Sequence, residues 1–267
     1  MVVKTCPSVL TKTYQGWVSK LDSSLKLQGD PSHPFHKDPY KLRSIEVQAY
    51  DKFWKSETHY NVGFFKLNAE VSNSEGKPLP GIVFLRGPAV AMLVMLIPDD
   101  APKGSDERYV VMTVQPRIPA GSLEFVEIPA GMVDDKTKTF AGTAANEIKE
   151  ELHLTIKEDS LVNMSELVEM PDRGKESLPL AMYPSVGGCD EYISIFMHEE
   201  VVSRDTLEKW NGKYTGLRDE GEKITLKIIK MQDLWKVGCR DAKALSALAL
   251  WENLRREGKI KSVLDPE

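Results

Sequence analysis

The sequence predicts a layered α/β or α+β domain, on three observations. The run "AVAMLVMLI" (89–97) is almost wholly apolar, short and bounded by Pro88 and Pro98, which suits a strand buried on both faces. The period then switches to helical at Phe140, with strand-like runs on either side. Near the end, "DAKALSALALWENLRREG" (241–258) has an Asp cap, dense helix formers, Arg in the last turn and a Gly stop. Strands on both sides of a central helix, with a second helix to close, bury their apolar faces best as stacked layers.

Taken in order, residues 1–57 read as an N-terminal arm, irregular or partly helical, because Pro31, Pro34 and Pro39 interrupt a polar stretch. Residues 58–87 read as a β-hairpin: "HYNVGFFKLNAEV" and "KPLPGIVFLRG" flank the turn-forming "SNSEGKP". The main domain is expected over 88–258, followed by a tail, 259–267. Within it "RYVVMTVQPR" (108–117) and "SLEFVEIPAG" (122–131) read as strands, the second ending in a Pro-containing turn. Thr137 or Thr139 supplies an N-cap for the helix at Phe140. "SLVNMSELVEM" (160–170), "EYISIFMHEEV" (191–201) and "KITLKIIKM" (223–231) are further strands.

Composition narrows the function classes. The 267 residues are 41% hydrophobic and 28% charged, the profile of a soluble globular chain. Thirty-five basic against 40 acidic residues give −5, with no sign of electrostatic capture of nucleic acid or anionic lipid. Cys6, Cys189 and Cys239 form no C-x-x-C pair, which points to a reducing compartment rather than a zinc ribbon or a disulfide framework. The five histidines do not fall at metal-binding spacing; His33 and His36 sit in the Pro-rich "PSHPFH". There is no apolar run of about 18 residues to span a membrane, and no signal-peptide core. The expected location is cytoplasmic, with an organelle left open.

The stretch "AANEIKEELHL" (144–154) carries Glu147, Glu150 and Glu151. On a helix these lie at i, i+3 and i+4, a spacing at which like charges cost a few tenths of a kcal/mol per pair. Either they face water or something positive sits between them. Phe140, Ala144, Glu147 and Glu151 fall on one stripe, so these two glutamates continue a face that begins apolar. Carboxylates bunched at a half-buried site suit a hard divalent cation such as magnesium, which takes a few carboxylates and leaves room for phosphate oxygens. The preceding Pro129-Ala130-Gly131 turn lets backbone approach a ligand, and a main-chain carbonyl there offers another hard oxygen.

"PAGMVDDKTKTFAGTAANEIKEELHL" resembles the Nudix box, the strand–loop–helix signature of hydrolases that cleave nucleoside diphosphates linked to another moiety. Gly131, Glu147, Ile148, Glu150, Glu151 and Leu154 match the pattern. Three positions depart: Asn146 stands for the arginine, His153 for the late glycine, and Lys138 or a neighbour for the early glutamate. The interval from Gly131 to Glu147 is also one residue longer than in the common box. "YPSVGGCDEYISIF" is similar to the Ser-Pro-Gly-Gly-x-x-Glu loop of ADP-ribose and ADP-sugar pyrophosphatases, with Glu191 at the catalytic position. "VQPR", "TGLRDEGEKITLKII" and "DAKALSALALW" resemble further parts of those enzymes, and "GIVFLRGPAVAMLVML" with the lengthened box looks most like the plant-type ADP-sugar diphosphatases. The likeness runs over about residues 58–256.

The resemblance implies a mixed-sheet α/β/α sandwich of Nudix type, preceded by a small antiparallel β domain. It implies magnesium-dependent, or manganese-dependent, hydrolysis of the pyrophosphate bond of nucleoside diphosphate sugars. Glu147, Glu150, Glu151 and the Ala130 carbonyl would hold the metal, and Glu191, with Glu150, would serve catalysis by positioning or deprotonating water. Arg117, Gly131 and Gly188 would bind substrate, Arg117 as a fork on the diphosphate. A homodimer paired through the N-terminal sheet is implied as well. Two other readings stand beside this one: a UDP-sugar diphosphatase, and a catalytically weak Nudix fold that binds nucleotide sugars, suggested by Asn146 and His153.

Overall fold

The computed structural model describes residues 2–4, 11–54, 60–102, 104–133, 139–152, 155–171, 174–216 and 223–263. It divides into two compact units. One comprises Met1–Pro88, Met170–Pro179 and Ser185–Tyr192; the other comprises Ala89–Glu169, Leu180–Pro184 and Ile193–Glu267.

In the first unit, strand β1 (Val2–Lys4) is followed by helix α1 (Lys12–Lys26), capped by Thr11, whose hydroxyl accepts from Tyr14 N at 3.3 Å. The long strands β2 (Lys41–Trp54) and β3 (Tyr60–Ser72) pair antiparallel, and β4 (Pro78–Leu79) and β5 (Ile82–Leu85) fold back on β3. Alternate residues of β3, from Phe65 through Leu67 and Ala69 to Val71, join Ile45, Leu85 and Tyr14 of α1 in one core. Gly81 lets β5 start close to β3, since a Cβ there would meet the Ala69 carbonyl oxygen at 1.8 Å. The stretch 1–57, expected to be irregular or partly helical, thus holds α1 and the whole 14-residue β2. Three register shifts along β2, at 42/44, 47/49 and 50/52, break the period of two that would have marked it as a strand. The unit is not purely antiparallel, because β1 runs parallel to β2.

The second unit is built on β6 (Ala89–Pro98), all ten residues of which are buried. It continues through β7 (Tyr109–Arg117), β8 (Ser122–Glu127), β9 (Ala130–Met132), α2 (Phe140–Leu152) and β10 (Val162–Asn163). Next come β11 (Ile193–Val202), α3 (Arg204–Trp210), β12 (Tyr214–Thr215), β13 (Ile224–Lys230), α4 (Leu234–Val237) and α5 (Ala242–Arg256). The sheet order is β10-β11-β6-β7-β13-β12, with β8 on β7 and β9 on β6; β11 is parallel to β6 and the other pairings are antiparallel.

Strand alternation sorts β6 between two layers. Ala89, Ala91, Leu93 and Met95 cluster with Ala244, Ala247, Trp251 and Leu254 of α5, while Val90, Met92, Val94 and Leu96 cluster with Ala144 and Ile148 of α2 and Leu207 of α3. Each large side chain so buried contributes about 1.5–3 kcal/mol, which is why an unbroken apolar run belongs at this place in the sheet. The mixed-sheet α/β/α layering expected from the sequence is therefore present. The run 160–170 is not one strand: Val162 and Asn163 alone pair with β11 as a ladder, and residues 164–167 form a turn. Of the expected tail, Ile260 lies in the core, and the Ser262 hydroxyl bridges buried Arg108 (2.5 Å) and Glu199 (2.8 Å).

Candidate active site

Helix α2 starts where Thr139 caps it: the Thr139 hydroxyl accepts from Gly142 N at 2.9 Å. Ala144 and Ile148, both fully buried, press one face of the helix onto the sheet. That docking decides where the glutamates go. Asn146 and Lys149 are exposed, Glu147 and Glu150 are half-buried, and Glu151 is 5% exposed. The turn opposite is held by β9, where Ala130 and Gly131 pair with Ala91 and Val90 of β6. A Cβ at Gly131 would fall 1.8 Å from the Glu147 carboxyl carbon and Oε1, so the glycine leaves the space that this carboxylate fills.

Glu151 is the least comfortable of the three. Among the described residues, its Oε1 accepts only a long bond from Gln115 Nε2, at 3.4 Å, and its buried Oε2 has no hydrogen-bond partner. Burial, then the charges of Glu147 and Glu127, push its carboxyl pKa well above the usual range, against the opposing pull of Arg117 and Gln115. A buried carboxylate oxygen without a donor costs free energy unless a cation or proton meets it.

Behind Glu151 lies a second set of charges. Glu127, the last residue of β8 and itself buried, accepts from Arg117 Nε at 2.6 Å on one oxygen and from Lys243 Nζ at 2.9 Å on the other. Lys243 also donates to Asp241 Oδ1 at 2.8 Å, while Asp241 Oδ2 accepts from Ile128 N at 3.0 Å. Burial lowers the Lys243 pKa, but Asp241 and Glu127 more than offset this and keep it charged. Glu127 and Asp241 thus share Lys243, and Glu127 also holds Arg117, whose charge is felt by Glu151.

Among the described residues, no three His, Cys, Asp or Glu side chains are grouped closely enough to hold a metal ion by themselves. Hard oxygen donors and a buried carboxylate oxygen with no partner among the described residues suit a hard divalent ion.

Six of the expected residues thus lie in the second unit: Arg117 on β7, Ala130 and Gly131 on β9, and Glu147, Glu150 and Glu151 on α2. Glu191 and Gly188 belong to the first unit. There Glu191 Oε1 lies 3.1 Å from Arg86 Nε, and Asp190 Oδ1 accepts from Arg86 N at 2.8 Å and Gly87 N at 3.2 Å. Phe84 N donates to the Gly188 carbonyl at 2.7 Å, so the loop is stitched to β5. Gly187 and Gly188 have no positive φ, and a Cβ on either would meet open space, so neither turn geometry nor crowding requires a glycine there. Burial raises the Cys189 thiol pKa, which agrees with a structural rather than a nucleophilic cysteine. Thr137, Lys138, His153 and Leu154 lie outside the described residues. Sequence reasoning missed Gln115, Glu127 and Lys243. Glu127 carried a weak signal, two residues before the Pro129-Ala130 step; Lys243 carried none, since it reads as an ordinary first-turn lysine.

No protein-family model matches the chain. A curated protein of Arabidopsis thaliana, "Nudix hydrolase 14, chloroplastic", is 36% identical over 250 residues, which are 93% of this chain and 72% of that protein. The chain belongs to the Nudix hydrolase family. A solved "ADP compounds hydrolase" aligns with this Nudix hydrolase over 82% of its length, and over 99% of its own, at 17% identity and a TM-score of 0.45. Nudix hydrolases generally use divalent metal ions. Among the described residues of this Nudix hydrolase, no helix is long and apolar enough to cross a membrane.

Proposed function

We propose that this Nudix hydrolase cleaves the pyrophosphate bond of nucleoside diphosphate sugars of the ADP-ribose or ADP-glucose type. The products are a nucleoside monophosphate and a sugar phosphate, and the metal is magnesium, with manganese able to replace it. The observation that carries the reading is the buried Glu151 carboxylate, one oxygen unpartnered, set beside Glu147 and Glu127 with Arg117 at hand. Glu147, Glu150, Glu151 and the Ala130 carbonyl would hold the metal. When bound, the ion neutralises diphosphate charge and makes the phosphorus a better electrophile. Arg117, its side chain 40% exposed, offers its guanidinium to the phosphate oxygens. Glu191 orients water and takes its proton as the new P–O bond forms and the bridging P–O bond breaks. Gly131 and Gly188 are the proposed backbone contacts of the diphosphate.

The test is phosphate release from a panel of ADP- and UDP-sugars with magnesium, coupled to a phosphatase. Turnover of ADP-sugars over UDP-sugars supports the reading, the reverse preference assigns a UDP-sugar diphosphatase, and turnover of neither overturns hydrolysis of this class. Because Asn146 is exposed and uncharged where the family has arginine, binding without turnover would identify a nucleotide-sugar binding module instead. A homodimer formed through the N-terminal sheet belongs to the same proposal, supported by Ile82 (53% exposed) and Phe84 (40%), apolar side chains on β5. The proposed compartment is a reducing one, cytoplasm or organelle, in keeping with the unpaired Cys189 and Cys239.

A further inference from the structure

We infer that Asp241 and Lys243, at the start of α5, are positioning residues for the reaction, acting through Glu127 on Arg117 and through Ile128 on the 129–131 turn. The inference rests on the substrate reading above.

Three ionised side chains meet here almost out of contact with water: Lys243 is 14% exposed, Glu127 5% and Asp241 3%. As a device for stability this is poor, since removing such charges from water offsets most of their attraction, and apolar side chains of similar volume often serve as well. What the cluster does provide is direction. Each carboxylate gives one oxygen to Lys243 and its other oxygen to a part of the site. Glu127 passes from Lys243 Nζ (2.9 Å) to Arg117 Nε (2.6 Å), and Asp241 from Lys243 Nζ (2.8 Å) to Ile128 N (3.0 Å). Asp241 also caps α5 by accepting from Lys243 N at 3.1 Å, so the bracket is tied to a 15-residue helix packed on the sheet.

Two consequences follow for a diphosphate. Arg117 is pinned at Nε, and among the described residues its terminal nitrogens have no other hydrogen-bond partner; the plane of the fork is set before substrate arrives. Ile128 N is tied two residues before Ala130, whose carbonyl is a proposed metal ligand. Lys243 also offsets one carboxylate of a cluster that would otherwise repel an anionic substrate.

The experiment is a double-mutant cycle on the full-length protein, reading equilibrium binding of the α,β-methylene analogue of ADP-ribose, which cannot be cleaved, at saturating magnesium. Glu127→Gln and Lys243→Met are each made in the wild type and in Arg117→Ala, with thermal melts to show that every variant folds. In the wild-type background each is expected to weaken binding about tenfold or more. In the Arg117→Ala background Glu127→Gln should cost no more than about twofold, because the group it places is gone, while Lys243→Met keeps the part of its loss that runs through Asp241 and Ile128. Equal losses for Glu127→Gln in both backgrounds would overturn the inference and leave the substrate reading standing, as would an Arg117→Ala variant that binds like wild type. A wild type that does not bind the analogue would overturn the substrate reading itself. If Lys243→Met does not fold, Glu127→Gln decides alone, since the amide keeps the shape and one acceptor oxygen.

Discussion

Glu151→Gln separates a metal ligand from a solvated acidic face, because the two readings differ in the sign of its effect on stability. In the metal-free protein Glu151 is buried beside Glu147 and Glu127, and its carboxyl pKa stands well above the ordinary 4.5. The folded state therefore holds this proton more tightly than the unfolded chain does. The contribution to stability is full below pH 4.5 and is lost as the pH rises through the folded value. Glutamine removes that loss. An exposed like-charge pair at this helical spacing costs about 0.2–0.5 kcal/mol and a buried one more, so the metal-free variant should melt about 1 °C or more above wild type at neutral pH. The gap should close as the pH is lowered.

With metal the order reverses. Magnesium at a hundred times its Kd stabilises wild type by about 2.7 kcal/mol, or roughly 5–11 °C for a unit of this size. Even outer partners of a metal change its affinity by about 10–100-fold, so losing a charged ligand should cost at least about a hundredfold. The same magnesium then stabilises the variant by only about 0.4 kcal/mol, near 1 °C. Hydrolysis should fall on the order of a thousandfold, about 4 kcal/mol of transition-state stabilisation. Melting curves with and without magnesium at pH 5 and 8, beside turnover, settle the matter. A variant that keeps the magnesium-induced shift and a rate within a few-fold of wild type would refute the reasoning, whatever its metal-free stability.

Glu191→Gln, in the first unit, should lower kcat about 10²–10⁴-fold while leaving the magnesium-induced melting shift intact; losing the shift would recast Glu191 as a ligand. Gly131→Ala places a methyl 1.8 Å from the Glu147 carboxylate, so metal affinity, read by titrated melting, should fall and turnover drop about a hundredfold. Unchanged affinity would show that Glu147 can move without consequence. Asn146→Arg alters an exposed position and should leave turnover unchanged or modestly higher; hydrolysis that appears only in this variant would favour the binding-module reading. Light scattering should give twice the 30.0 kDa chain mass, and a monomer well above micromolar concentration would remove the proposed dimer.

Where periodicity reports a single local environment, the sequence was enough. The unbroken apolar run at 89–97 required a strand covered on both faces, and β6 lies there between α2 and α5. The stripe from Phe140 to Glu151 required the later glutamates to share the buried face, and Glu151 is the most buried of the three. Asp241 as a helix cap was legible for the same local reason. β2 was not, because its bulges shift the alternation three times within 14 residues. The Arg117–Glu127–Lys243–Asp241 bracket was not legible either. Lys243 meets Glu127 across 116 residues, and no pattern within a helix or strand records which distant side chain will share its desolvated space. The same holds for the strain on Glu151: helix geometry alone brings Glu147 near it, but only the pairing of β7 with β8 adds Glu127 and Arg117. Local sequence sets which way a side chain faces; the charge it meets there depends on the strands and helices that the whole chain packs against it.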